Sequence, residues 1–358
     1  MTPFLSVIVP AHQGAAVLPL SLGALAASDL PRERWELIVV DDASSDGTSR
    51  VAEKWADRVV TLSGRPRGPG YARNRGAERA TGEWLVFIDA DVVVHRDTLR
   101  RFAEAIEADP SMDAAFGAYD DAPPAQGLLT QYRNLLHRYV HLRSAGPSET
   151  FWAGCGAVRR SALVEVGGFD ERRYPRPQIE DIELGYRLSD RRRRIVIRPE
   201  IQGTHLKHWR LLASLRTDLL DRGIPWVVLL LERRRLTRPA NLNLKRGEGV
   251  RALLVGLALP LLPIAALMRW PLLALLASLV LLGVVLSNLP LFTWFARQRG
   301  PLFALAVVPF NLGYYLVGCL SVLAGVTVHL LRGRSGSVRR LRPTARPKSR
   351  SGKGNGSP

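Results

Sequence analysis

The chain has 358 residues, with 50 Lys or Arg against 32 Asp or Glu, a net charge of +18, and two cysteines. That length holds one large domain or two ordinary ones. Cys155 and Cys319 share no metal-ligand spacing and are too few for a disulfide scaffold, which fits a reducing compartment.

From the amino terminus, short apolar runs alternate with charged, helix-patterned stretches. A first strand is expected at residues 5–9, close after Met1, with Pro10 stopping it and no signal peptide expected before it. A helix is expected over residues 17–27. A second strand over 35–40 ends in Asp41 and Asp42, followed by a helix over 48–55. Asp46 or Thr48 caps that helix and Gly47 makes the turn, which leaves Asp41 and Asp42 without a structural reason. A third strand over 59–62, a Gly-rich turn and a helix over 71–80 come next; Arg73 and Asn74 lie in its first turn, where N–H groups and a guanidinium suit phosphate. The strand over 84–88 then delivers Asp89-Ala90-Asp91. This alternation predicts an α/β domain with a mostly parallel sheet flanked by helices, which binds ligands at the carboxyl edge of its strands.

Asp89 and Asp91 are two residues apart. In an extended segment they point the same way, so both can converge on a hard cation that prefers oxygen ligands. Further on, Trp152 and Gly154 sit in a Phe151-Trp152-Ala-Gly154-Cys-Gly156 segment, where Trp152 serves either as a sugar platform or as core packing. His205, in His205-Leu-Lys207-His208-Trp209, is either a third member of a metal or diphosphate site or a surface histidine. Arg191 to Arg194 reads as a solvated turn in preference to a funnel for phosphate.

Beyond residue 208 the character changes. Trp209, Leu211, Leu212, Leu215, Leu219 and Leu220 approximate one helical face with Arg210, Arg216 and Arg222 as companions, a pattern suited to a bilayer interface. Residues 252–268, 272–295 and 302–331 are almost uncharged and long enough for a hydrocarbon core, which needs roughly 20 apolar residues of helix. Residues 332–358 hold nine Lys or Arg and no acid, half the net charge, in a Gly-, Ser- and Pro-rich tail expected to be disordered. Basic segments beside apolar spans mark the cytoplasmic face and favour anionic lipid headgroups, so the charge argues for a bilayer and against nucleic acid as the partner. A domain and a tail both in the cytoplasm require an even number of spans, whereas three apolar segments are present. The expected division is 1–208 catalytic, 209–251 interfacial linker, 252–331 about three transmembrane helices, and 332–358 tail.

Six segments in order resemble the family 2 glycosyltransferases, which have the nucleotide-sugar-binding glycosyltransferase-A fold. They are Ser6-Val-Ile-Val-Pro10, Val40-Asp41-Asp42-Ala-Ser44-Ser-Asp46-Gly-Thr48, Ala72-Arg73-Asn74-Arg-Gly76, Phe87-Ile-Asp89-Ala-Asp91, Gly167-Gly168-Phe169-Asp170-Glu171 and Glu180-Asp181-Ile-Glu-Leu184. The resemblance covers roughly residues 4–210. It implies that Pro10 and Ala11 edge the base pocket, that Asp41 or Asp42 accepts from base and ribose, and that Arg73 contacts the nucleotide. Asp89 with Ala90 would lie by the ribose, and Asp91 would be the main ligand of Mg²⁺ or Mn²⁺. Asp181, paired with Glu180, would be the general base of an inverting displacement, with Trp152 and Gly154 beside the acceptor.

Two departures shape the expectation. Ala11-His12-Gln13 stands where the family often has Asn soon after the proline, and no Gln-x-x-Arg-Trp motif follows the acidic pair, which favours single-sugar transfer over a processive synthase. A nucleotidyltransferase would carry a Gly-rich basic loop, absent from residues 10–14, and a noncatalytic scaffold would have lost Asp91 or Asp181. The expectation is therefore a multi-pass cell-membrane glycosyltransferase, its catalytic domain cytoplasmic, that uses a nucleotide-sugar, UDP-sugar by default, and a lipid or lipid-linked acceptor.

Overall fold

The computed structural model describes residues 3–234 and 246–335. The amino-terminal part alternates β1 (Leu5–Ala11), α1 (Leu18–Ala26), β2 (Trp35–Asp42), α2 (Thr48–Ala52), β3 (Arg58–Leu62), α3 (Pro69–Arg79) and β4 (Trp84–Ile88). Then come β5 (Val92–Val94), α4 (Thr98–Ala108), β6 (Ala114–Tyr119), α5 (Leu128–Leu142), β7 (Gly146–Ser148), β8 (Cys155–Arg159), α6 (Arg160–Glu165), α7 (Glu180–Asp190) and β9 (Ile195–His205). Every residue of β1 and β4 is buried, as expected of strands covered on both faces.

One sheet runs in the order β3-β2-β1-β4-β8-β6-β9-β5, with β7 on the β9 side. The expected parallel pairing holds for β3, β2, β1 and β4 and again between β6 and β9, whereas β8 pairs antiparallel with both β4 and β6. The sheet is thus mixed, because β8 enters from a loop and not from a crossover helix. β1 also runs through Pro10 to Ala11 instead of stopping there. Its pairing with β4 ends at Ile8↔Phe87, so Pro10 has only β2 beside it and no ladder bond on the other side is lost.

Two apolar layers cover the sheet. Leu18, Leu22, Leu99 and Phe102 from α1 and α4 pack on Val7, Val9 and Val86, while Ala72, Leu163 and Leu184 from α3, α6 and α7 pack on Ile8, Phe87 and Phe116. Each such large side chain contributes about 1.5–3 kcal/mol. Helix α3 lies close to the sheet because Gly76 has no side chain: a Cβ there would stand 2.4 Å from Ile8 Cγ2.

The carboxyl-terminal part is helical. A continuous stretch comprises α8 (Leu211–Arg216), a π-helical segment Thr217–Gly223 and α9 (Ile224–Glu232); α10 (Arg246–Leu267), α11 (Pro271–Ser287), α12 (Leu289–Arg299), α13 (Pro301–Ala306) and α14 (Val308–Ser335) follow. Gly247–Leu267 and Pro301–Arg332 are each long and apolar enough to cross a bilayer. The expected span 272–295 is not straight: α11 and α12 meet at 62°, where Asn288 and Pro290 interrupt the helix. Two or three helices are therefore candidate spans. Helix α12 instead lays Leu291, Phe292 and Phe295 against Tyr132 and Leu135 of α5. Trp209, expected on the bilayer face, is packed on the domain with the Arg133 guanidinium 4.0 Å from its ring, while Leu212 and Leu215 are exposed as expected. Residues 336–358, most of the basic tail, and residues 235–245 of the linker lie outside the described residues.

Gly76→Ala is expected to push α3 off the sheet and destabilise the protein by about 1–3 kcal/mol. Thermal unfolding of the detergent-solubilised protein checks this, and an unchanged midpoint would contradict the packing.

Candidate active site

The carboxyl ends of β1, β2 and β4 bring the acidic motifs to one edge. β1 ends in Pro10 and Ala11, in register with Val40 and Asp41 of β2. Asp41 and Asp42 are buried and each has a structural partner, local for Asp41 and distant in sequence for Asp42. Asp41 accepts from Ser44 N (3.0 Å), and Asp42 accepts from Arg67 N (2.9 Å) and Gly68 N (2.7 Å), so the second carboxylate holds the loop before α3 in place. Gly47 makes the expected turn at φ 85° but is itself the N-cap of α2, with no side-chain cap; Asp46, one residue earlier, accepts from Thr48 N (3.1 Å).

Arg73 is the electrostatic centre of the edge. It is buried, and its Nη2 donates to Asp89 Oδ1 (2.7 Å) while Nη1 donates to Glu180 Oε1 (2.9 Å). One guanidinium thus joins the second turn of α3, the turn after β4 and the start of α7. Burial works against its charge, but Asp89, Glu180 and Asp181 outweigh this and keep it protonated. The other oxygen of Glu180 accepts from Gln178 N (2.9 Å), so Glu180 is the member of the pair ion-paired to Arg73. Asp181 accepts from Ala153 N (3.1 Å) and Ile182 N (2.8 Å). Burial, and then the neighbouring Glu180 charge, push its pKa up to about 6 against the pull of Arg73.

Asp91 stands across the β4–β5 turn from Asp89, with Ala90 between them. Antiparallel pairing of β5 with β9 sets Val92 beside His205, which brings His205 Nε2 to 3.4 Å from Asp91 Oδ2. His205 is buried and stacked on Tyr119, with centroids 4.3 Å apart and planes 5° apart, so it is not a surface histidine. Burial opposes the Asp91 charge, yet the His205 hydrogen bond and the His205 and Lys207 charges hold its carboxyl below the usual range. By contrast, burial dominates at Asp89 and raises its pKa despite Arg73.

Among the described residues no three His, Cys, Asp or Glu side chains are gathered into a metal cage. Asp91, Asp89 and His205 are thus not drawn together into one three-ligand group. Asp91 and Asp89 are each about a third exposed, but Asp89 is ion-paired to Arg73, so Asp91 is the carboxylate of the two without an arginine partner.

Trp152 and Gly154 lie beside the same edge of the sheet. Gly154 O accepts from Asp89 N (3.1 Å), and a Cβ at Gly154 would stand 2.5 Å from the Trp152 ring. Trp152 packs edge-on against Tyr119 (4.8 Å) and against His137 (4.7 Å) and His141 (5.4 Å) of α5. Sequence reasoning missed His137, His141 and Tyr119. The available signal was the four-residue spacing of the two histidines, which sets them on one face of a helix. Burial lowers the pKa of both, with neighbouring cations adding to the effect at His137. Arg193 and Arg194 pair with Glu165 and Asp109, as expected of a surface turn.

Residues 6–167 match the model of Glycosyl transferase family 2. The chain is 32% identical over 176 residues to glycosyltransferase AglE of Haloferax volcanii, covering 47% of this chain and 56% of AglE. It is 35% identical over 106 residues to the poly(ribitol-phosphate) beta-N-acetylglucosaminyltransferase TarS of Staphylococcus aureus, covering 28% of this chain and 18% of TarS. The PGL/p-HBAD biosynthesis glycosyltransferase of Mycobacterium bovis is 35% identical over 120 residues, 32% of this chain and 46% of the relative. The chain thus spans about half or less of the length of these relatives. Among solved structures, mannosyltransferase PcManGT from Pyrobaculum calidifontis, in complex with GDP-Man and Mn²⁺, aligns with a TM-score of 0.54 at 20% identity, over 93% of this chain and 88% of that one. TarS 1–349 of S. aureus with UDP-GlcNAc aligns at 0.51 and 20% identity, over 94% and 92%. These two likenesses concern the fold alone, and together with the sequence match they make the amino-terminal part of this chain a family 2 glycosyltransferase domain of the glycosyltransferase-A fold.

Proposed function

We propose that the protein is a membrane-anchored, metal-dependent, inverting glycosyltransferase that moves one sugar from a nucleotide-sugar donor to a lipid or lipid-linked acceptor. The observation that carries this reading is the Arg73 bridge, which sets Asp89, Asp91 and the Glu180–Asp181 pair around one edge of the sheet. A UDP-sugar is the first donor to test, since TarS was solved with UDP-GlcNAc; a GDP-sugar is the competitor, since PcManGT was solved with GDP-Man.

On this reading Pro10, Ala11, Asp41 and Asp42 line the nucleotide side, and Asp42 acts chiefly by shaping the loop that its carboxylate holds. Asp91, with Asp89 and His205 beside it, would hold Mg²⁺ or Mn²⁺. When bound, such an ion supplies counter-charge for the departing diphosphate. Arg73 keeps Asp89 and Glu180 in place through one N–H of each Nη, and its remaining N–H groups, among them an Nε with no hydrogen-bond partner among the described residues, stay open to the nucleotide. Asp181 takes the proton of the acceptor hydroxyl as that oxygen attacks the anomeric carbon. A pKa near 6 suits a general base, since the group is ionised at neutral pH yet remains more basic than an ordinary carboxylate.

Membrane anchoring rests on the apolar helices, whose Leu267, Leu272 and Leu302 side chains are more than three-quarters exposed and need an apolar medium. Placing the catalytic domain on the cytoplasmic face of the cell membrane follows from the basic composition of residues 332–358.

Because Asp181 must be ionised, kcat/KM is expected to fall tenfold per pH unit below about pH 6 and to be flat just above it. Asp181→Asn should remove this limb and cut kcat by about 10²–10⁴. A variant that retains both the rate and the acid limb would rule out Asp181 as the base. Trp152→Ala is expected to raise the acceptor KM while leaving the donor KM within about twofold, and steady-state kinetics with both substrates varied checks it. A larger change in the donor KM would move Trp152 to the other side of the site.

A further inference from the structure

A cavity of about 230 Å³ lies between α5 and the carboxyl-terminal helices, far larger than the roughly 10–15 Å³ that one water needs. On α5 it is lined by Leu136, Tyr139, Val140 and Arg143, whose i, i+3, i+4 and i+7 spacing makes one helix face. His137 and His141, which meet Trp152, stand on a different face of that helix, so the cavity is separate from the candidate active site. The bend between α11 and α12 contributes Ser287 and Asn288, and α10 and α14 supply the rest of the wall.

The cavity has a buried polar floor and a basic mouth. Asn288, Asn311 and Tyr315 are at most 6% exposed, whereas Arg143 and Ser287 are exposed. Among the described lining residues Glu248 is the one acid, set against Arg143 and Arg251. Its carboxylate accepts from Arg251 Nη1 (2.6 Å) on one oxygen and from Tyr315 Oη (2.7 Å) on the other. Arg251 also donates from Nε to Ser287 Oγ (3.0 Å) and from Nη2 to Ser287 O (3.1 Å), which fixes its guanidinium and leaves one N–H on each Nη. On the floor, Asn311 Nδ2 donates to Tyr132 Oη (3.3 Å), but among the described residues Asn311 Oδ1 accepts no hydrogen bond and Tyr314 Oη makes none.

We propose that this cavity binds the head group of an anionic glycerophospholipid with free head-group hydroxyls, of the phosphoglycerol class, held between the catalytic domain and the apolar helices and not consumed as a substrate. The remaining N–H groups of Arg251, with Arg143 beside them, receive the phosphate, and Asn311 Oδ1 and Tyr314 Oη receive the hydroxyls. Because both oxygens of Glu248 are engaged, no carboxylate is left for the ammonium of a choline or ethanolamine head. Leu286 and Leu289, on either side of the bend, are more than half exposed and offer apolar surface to the acyl chains. This site depends on the membrane anchoring proposed above and is independent of the transfer reaction.

The test is native mass spectrometry of the full-length protein released from nanodiscs that hold phosphatidylglycerol, phosphatidic acid and phosphatidylcholine in equal amounts. The wild type is expected to retain phosphatidylglycerol about fivefold over phosphatidylcholine and about threefold over phosphatidic acid. Arg251→Gln should lower that retention about fivefold, the effect of one cation beside an anionic lipid. Arg297→Gln, which removes an exposed charge of α12 outside the cavity, should leave it unchanged. Tyr314→Phe deletes only a hydroxyl and should abolish the preference over phosphatidic acid while keeping that over phosphatidylcholine; it decides the matter if Arg251→Gln fails to fold. A wild type that does not enter nanodiscs defeats the anchoring reading and this site with it. If the protein enters but retains phosphatidylcholine equally well, or Arg297→Gln acts as strongly as Arg251→Gln, or Tyr314→Phe keeps both preferences, the lipid site alone is overturned. Release of the bound lipid by dilute sn-glycerol 3-phosphate would overturn it too, because the cavity would then serve a soluble phosphate ester.

Discussion

A single buried guanidinium organises the functional edge of this protein. Arg73 leaves water to sit between Asp89 and Glu180, and such a charge is tolerable only because both partners are within hydrogen-bond distance. Breaking a buried pair of this kind from one side costs about 3–5 kcal/mol, because the remaining charge is stranded. Two consequences follow for the neighbours. Asp89 is held by Arg73, so Asp91 is the carboxylate freer to face a ligand. Glu180 is held as well, so Asp181, pushed up by burial and by the adjacent Glu180 charge, is the one whose protonation changes near neutral pH. The difference between the members of each acidic pair comes from their partners, since Asp89 and Asp91 are chemically identical side chains.

Helix α5 carries the second constraint. Its inner face turns His137 and His141 toward Trp152, while Tyr132 and Leu135 receive Phe292 and Phe295 of α12. Arg299 at the end of α12 donates to Gln131 Oε1 of α5 (3.1 Å), and Asn311 of α14 reaches Tyr132. One helix therefore touches both Trp152 and the apolar helices. On the proposed reading, this lets the protein present a membrane-borne acceptor without a separate lid.

The parts of the structure written locally in the chain were legible. Strands β1 to β4 and the helices between them follow from short apolar runs and turn residues, and the Asp46–Gly47–Thr48 turn follows from turn chemistry. Features that depend on residues distant in sequence were not legible. The structural role of Asp42 depends on amides 25 and 26 residues away, and the antiparallel insertion of β8 depends on a loop without periodicity. Pro10 misleads as a strand terminator because the missing ladder bond matters only where a second neighbour is paired. His205 was an open choice until β9 was laid beside β5, and the bend between α11 and α12 lies hidden in an apolar run that reads as one span.

The central claim is that Asp91 serves a metal-bound nucleotide-sugar while the apolar helices bring the acceptor to it. Its most direct test is transfer of radiolabelled sugar from a panel of UDP-, GDP- and dTDP-sugars into extracted membrane lipids, comparing the full-length protein with Asp91→Ala, with and without Mn²⁺. The account predicts Mn²⁺-dependent incorporation into the lipid fraction from one donor class and its loss in Asp91→Ala. Incorporation that survives the substitution, or that proceeds equally with the metal chelated, would contradict it.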